Sequence, residues 1–167
     1  MTVGFQYLED MSSTEVRVFS AVLNDDTLTE FDKFDSKEFL NRDAELEYLY
    51  SILHVFIEEG YDPDLLRKED AADAIAVLYA DIDEIRFRDD NSDPNDQGIR
   101  LYCFARPGVL VLFNGDIKTA QNPRECLNVS TYFDIAVKVS RKLERDISQR
   151  VINISDENPF SHTEYEI

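Results

Sequence analysis

Residues Gly98–Thr119 read GIRLYCFARPGVLVLFNGDIKT. Two apolar runs rich in Ile, Leu, Val, Tyr and Phe flank Pro107-Gly108, a pattern that predicts a β-hairpin. Proline presets the first central dihedral of the turn and glycine permits a positive one at the second, which suits type II. A second turn is expected at Asn114-Gly115. Strand alternation puts Arg100, Tyr102, Phe104 and Arg106 on one face. Ile99, Leu101, Cys103 and Ala105 share the other, which is evenly apolar and expected to pack on the core. A two-residue turn sets Arg106 opposite Val109, Tyr102 opposite Phe113 and Arg100 opposite Gly115. A glycine there leaves open space beside the guanidinium, and Lys118 follows closely. The cations therefore line a concave face, or they are ordinary charges on a solvated one.

Working outward, the 167 residues suit one domain with a real core. A chain 43% hydrophobic and 31% charged fits a globular protein. No apolar run approaches the roughly 20 residues of a membrane helix, so no membrane partner is expected. The opening MTVGFQYLEDM lacks the basic-then-apolar order of a secretory leader, which predicts a cytoplasmic protein. Cys103 and Cys126 make neither a disulfide framework nor a metal spacing, and two free thiols are expected.

The net charge of −18 usually argues against a nucleic-acid binder, but its distribution is uneven. Residues 1–99 hold 8 basic and 26 acidic side chains, residues 100–150 hold 9 and 5, and residues 151–167 hold no basic and 4 acidic ones. Positive charge thus begins at the hairpin and continues into the helix beyond it.

In chain order, residues 1–15 read as an irregular N-terminal extension or a weak strand. Val16–Leu23 reads as a strand. Leu28, Phe31 and Phe34 suggest a short helical turn. A long helix is expected from a capping box at Asp35 and Glu38, with an apolar stripe from Phe39 to Ile57 and Gly60 as its C-terminal stop. Its opposite face carries Asp43, Glu45, Glu47, Glu58 and Glu59. His54 lies inside it with no second ligand at helical spacing and reads as structural. Asp62-Pro63 opens a second helix to about Ala72. Ala74–Tyr79 reads as a strand, and Asp81–Arg88 continues it or forms another. After the hairpin, Asn128 or Ser130 caps a final helix to about Arg150. Its buried stripe is Phe133, Ala136, Val137, Ser140, Leu143, Ile147 and Val151. Lys138, Arg141, Lys142, Arg145 and Arg150 dominate the remainder. Residues 16–150 form the single domain, and residues 151–167 an acidic, flexible tail.

No metal site is expected. Asp89, Asn91 and Asp93 keep the opening spacing of an EF-hand, but Pro94 and Arg100 stand where that loop needs Gly and Glu. Asp81 and Asp83 lack a third ligand. The element order describes an α+β domain: a small antiparallel sheet with N-terminal helices packed on it and a C-terminal helix.

Once these elements are placed, the sequence resembles the RelE/ParE superfamily of small toxins, and within it a HigB-like subgroup. The residues carrying the resemblance are Arg100-Leu101-Tyr102-Cys103, Val109–Leu112 and Asn114–Thr119, with Leu66–Glu69 and Ala76–Tyr79 upstream. The resemblance implies a ribosome-associated endoribonuclease that cuts mRNA without a metal or other cofactor. It also implies a cognate protein antitoxin, of helix-turn-helix type in one form. Attack by a 2′-hydroxyl needs a base, an acid and charge stabilisation at phosphate. The resemblance implies Arg100, Tyr102 and Lys118 as the catalytic group, with Arg67, Arg88 and Arg106 on RNA phosphates. The chain departs from the family in its acidity, its N-terminal segment, its acidic tail and Asp116 where a second glycine is expected. Two other functions suit the same fold: a non-catalytic acidic module that meets a basic partner, and a nucleic-acid mimic whose carboxylates stand in for phosphates.

Overall fold

The computed structural model describes residues 1–67, 76–79 and 96–167. Among the described residues six strands form one sheet: β1 (Thr2–Tyr7), β2 (Arg17–Leu23), β3 (Ala76–Tyr79), β4 (Ile99–Arg106), β5 (Val109–Ile117) and β6 (Tyr165–Glu166). Their order across the sheet is β3-β4-β5-β2-β1-β6. Every neighbouring pair is antiparallel except β2 and β5, so the expected antiparallel sheet is corrected to a mixed one. The cause is topological. After β2 the chain passes through helices and β3–β4 before β5 returns beside β2 in the same direction, and a parallel neighbour needs such a long crossover.

Helices α1 (Glu30–Asp35) and α2 (Asp43–Glu59) cover one face of the sheet. Phe31, Phe34, Leu49, Leu53 and Phe56 pack there against Val18, Leu101, Cys103, Leu110 and Leu112. Helix α3 (Ser130–Ser148) covers the other, where Phe133, Ala136, Val137 and Leu143 meet Tyr102, Phe104, Val111 and Phe113. Both faces of β4 and β5 are therefore buried. This explains why LYCFA and VLVLF are continuous apolar runs rather than alternating ones.

Several local expectations shift. The capping box is Thr29 with Asp32, which starts α1, rather than Asp35 with Glu38. Helix α2 begins at Asp43 without a side-chain cap and stops at Gly60, whose φ of 100° suits glycine. Glu45, assigned above to the solvated face of α2, is buried: it accepts from the Ile99 N–H at the start of β4 and from Arg42 at 3.0 Å. Asp62-Pro63 opens only a short 3-10 turn, Pro63–Leu65. Helix α3 ends where Arg150 adopts a φ of 58°, so Val151 leaves the stripe and is 71% exposed. The expected strand at Asp81–Arg88, the EF-hand-like spacing of Asp89, Asn91 and Asp93 and the Asp81–Asp83 pair lie outside the described residues.

The two terminal segments belong to the sheet. Residues 2–7, read as an extension, supply β1, paired with β2 on one side and β6 on the other. Residues 151–167, read as a flexible tail, bury Ile152, Phe160 and Tyr165 in the α3-side core. Phe160 packs on Phe5 and Phe19, with ring centroids 5.1 and 4.8 Å apart. The Arg17 guanidinium donates to the carbonyls of Ile154, Asp156 and Glu157, which ties this segment to the start of β2.

Candidate functional site

The β4–β5 hairpin turns at Pro107-Gly108, and Gly108 has the positive φ, 80°, that a type II turn asks of its second central residue. Arg106 pairs with Val109, as the two-residue turn requires. Beyond Cys103 the register slips. Leu101 faces Gly115 and Arg100 faces Asp116, one residue later than the expected Arg100–Gly115 pairing. The cause is a β-bulge: Phe113 and Asn114 both occupy the stretch opposite Tyr102. Asn114-Gly115, expected as a turn, is this irregularity inside β5. A Cβ on Gly115 would sit 1.7 Å from the Arg100 carbonyl oxygen, so only glycine lets the strands close here.

The bulge gathers polar groups between the layers. Asn114 donates to buried Glu30 at 3.1 Å, and Glu30 also binds Lys33 at 2.7 Å. Lys37, just after α1, donates to the Gly115 carbonyl and to Asp116 at 3.1 Å. Its ammonium lies 4.2 Å from the centre of the Tyr132 ring on α3. Asp116, placed beside Lys118 by sequence, thus has Lys37 as an ion-pair partner. Lys37 and Glu30 are site residues that sequence reasoning missed. Neither carries a local signal, because each meets the bulge only through the crossover from α1 to β5.

Of the residues proposed from sequence, the structure buries the catalytic three. Arg100 is 2% exposed, Tyr102 0% and Lys118 4%. Tyr102 lies under α3 with its ring edge-on to Phe133, centroids 5.6 Å apart. A base cannot stack on Tyr102 while α3 is in place. The Arg100 guanidinium touches the Ile99 carbonyl at 3.3 Å. The Lys118 backbone extends the hairpin, bonding to Gln97 and Gly98 at 2.7 and 2.9 Å. Arg106, part-buried at the hairpin turn, pairs with Glu144 of α3 and donates to the Ala105 carbonyl at 2.7 Å. Burial holds its guanidinium below the ordinary arginine range. Arg67 is exposed just after the Pro63–Leu65 turn, and Arg88 lies outside the described residues. Cys126, ahead of α3, receives the Thr119 N–H at 3.2 Å. Burial pushes its thiol up, but hydrogen bonds from Thr119, Asn128 and Val129 outweigh that and hold it below the ordinary thiol value.

The exposed surface carries both signs: Lys138, Arg141, Arg145 and Arg150 stand out on and just after α3, while the N-terminal half presents mainly carboxylates. The basic side chains from Arg17 to Arg42 all bond within the chain: Arg17 to carbonyls, Lys33 to Glu30 and Asp26, Lys37 to Asp116, and Arg42 to Glu45 and Asp96. Glu9, Asp10, Glu38, Asp43, Glu47 and Glu58 stand exposed around them. Helix α2 carries five carboxylates and no Lys or Arg. Among the described residues no group of three or more His, Cys, Asp or Glu is placed to hold a metal ion. Also among them, no helix is long and apolar enough to cross a membrane. Comparison with protein-family models, curated proteins and solved structures gives no match.

Proposed function

We propose that this chain is a non-catalytic acidic interaction protein whose partner is a basic protein. One observation carries the reading: the cations from Arg17 to Arg42 bond to carboxylates and carbonyls within the chain, while every carboxylate of residues 1–67 except Glu30 and Glu45 is exposed. Such a surface steers and orients a positively charged partner and repels phosphate. The ribosome-associated, metal-independent mRNA endoribonuclease implied by the RelE/HigB resemblance asks more. Arg100, Tyr102 and Lys118 would have to reach RNA from between two helical layers. Tyr102 instead packs on Phe133 of α3.

The test is co-purification of the full chain from nuclease-treated cytoplasmic extract at physiological salt. A basic protein that stays bound and is released by raised salt is the expected result. Sedimentation with ribosomes, mRNA cleavage or growth arrest on expression would instead establish the nuclease.

A further inference from the structure

The geometry points to the outer edge of β1 as the docking site for an extended, basic segment of the partner, which joins the sheet as an added strand. This rests on the basic-partner reading and names how that partner is held.

Backbone direction alternates along β1. Thr2 and Leu8 bond toward β2, through Asn24 and Val18, whereas Met1 bonds to Ile167 on the other side. The same alternation turns the N–H and C=O of Phe5 and Tyr7 away from β2. Strand β6 pairs only with Thr2 and Val3. Among the described residues nothing hydrogen-bonds the outward groups of Phe5 and Tyr7, so the edge is an open template.

Each side of that edge has its own chemistry. On the α3 side, Phe5 and Phe160 form an aromatic wall, and Tyr7, 39% exposed, extends it. On the α1–α2 side stand exposed Gln6 and half-buried Gly4, and a Cβ built on Gly4 meets no atom within 4 Å. An added strand would place alternate side chains on the wall and in this open space.

Charge selects the occupant. The two segments that build the edge, residues 1–15 and 151–167, contain seven carboxylates and no Lys or Arg. Glu9 and Asp10 follow β1, Glu164 precedes β6 and Glu166 lies in it, and Asp25 and Asp26 adjoin the Asn24–Thr2 contact; the one cation at β6, Lys142 of α3, is bonded to the Glu166 carbonyl. A second copy of this edge brings the same charges and is repelled. A strand with apolar residues on one face and Lys or Arg on the other fits.

The probe is a blocked peptide of alternating lysine and valine, added to the full chain and followed by amide hydrogen exchange. Binding is expected to slow exchange at the Phe5 and Tyr7 amides about ten-fold. A glutamate–valine peptide should do nothing. Two variants test the edge. Tyr7→Pro removes an outward N–H together with the ring packed on Phe19, whereas Gln6→Lys sets a repelling charge beside it and leaves the backbone and the aromatic wall intact. Both should abolish the protection. Lysine–valine binding without protection at Phe5 and Tyr7 overturns strand docking while the basic-partner reading survives. Equal binding of the glutamate peptide, or a doubled mass with the same amides protected, overturns the charge assignment. Failure to retain any basic protein in the co-purification overturns the reading beneath it.

Discussion

The centre of the sheet and its β1–β6 edge handle charge in opposite ways. At the centre, Arg100 and Lys118 are buried, and Lys37 reaches Asp116 of β5. At the edge, Lys142 of α3 reaches the Glu166 carbonyl and the Tyr165 ring, and the carboxylates of two terminal segments stay at the surface. The centre buries its charge and the edge exposes it. The difference follows from cover: α1, α2 and α3 span β4 and β5 but leave the outer side of β1 open beyond Val3.

The largest way to break that contrast is to thin the cover. Phe133→Ala removes the ring packed on Tyr102 and should cost about 4 kcal/mol, read by urea denaturation. Next is Gly115→Ala, which forces a Cβ against the Arg100 carbonyl and should cost about 3 kcal/mol as the bulge opens. A wild-type stability for that variant would mean β4 and β5 do not close as described.

These sites differ in how far the sequence announces them. The Pro-Gly turn is local chemistry, and its strands and Gly108 conformation follow from it. The stripes of α2 and α3 are likewise periodic and legible. The bulge is not, since one extra residue in β5 leaves no mark in an apolar run. Two buried faces could have been inferred from the continuity of LYCFA and VLVLF. Alternation instead suggested an open face bearing Tyr102. The terminal segments escaped for a different reason. Gly4 interrupts β1, and Ile152, Phe160 and Tyr165 follow no regular period, so their burial depends on long-range packing. The candidate surface was legible only as a charge imbalance; the inward turn of Lys33, Lys37 and Arg42 needs the tertiary fold.

A smaller effect is expected at the link between centre and helix. Lys37→Met leaves Asp116 without its ammonium and should cost about 1 kcal/mol, a difference that shrinks in high salt because the pair is part-exposed. At the edge, Tyr165 gives a pH signature. Burial, and then its hydrogen bond to Asp146 at 2.8 Å, raise the phenol above its ordinary value of 10.0. A group whose folded value is raised contributes fully below its unfolded value and loses that contribution as pH climbs through the folded one. Stability should therefore decline above pH 10.0. Part of that slope should vanish in Tyr165→Phe, whose loss at neutral pH is about 1 kcal/mol. The smallest change belongs to Gln6→Lys on the open edge, within about 0.5 kcal/mol of wild type in thermal melting.

The most direct measurement sets the two polymers side by side. The full chain is titrated at physiological ionic strength with the lysine–valine peptide and with single-stranded RNA, and the RNA is then checked for cleavage. The account predicts peptide binding that weakens as salt shortens the roughly 8 Å reach of the carboxylates, with RNA unbound and intact. RNA bound or cut, with the peptide ignored, would contradict it.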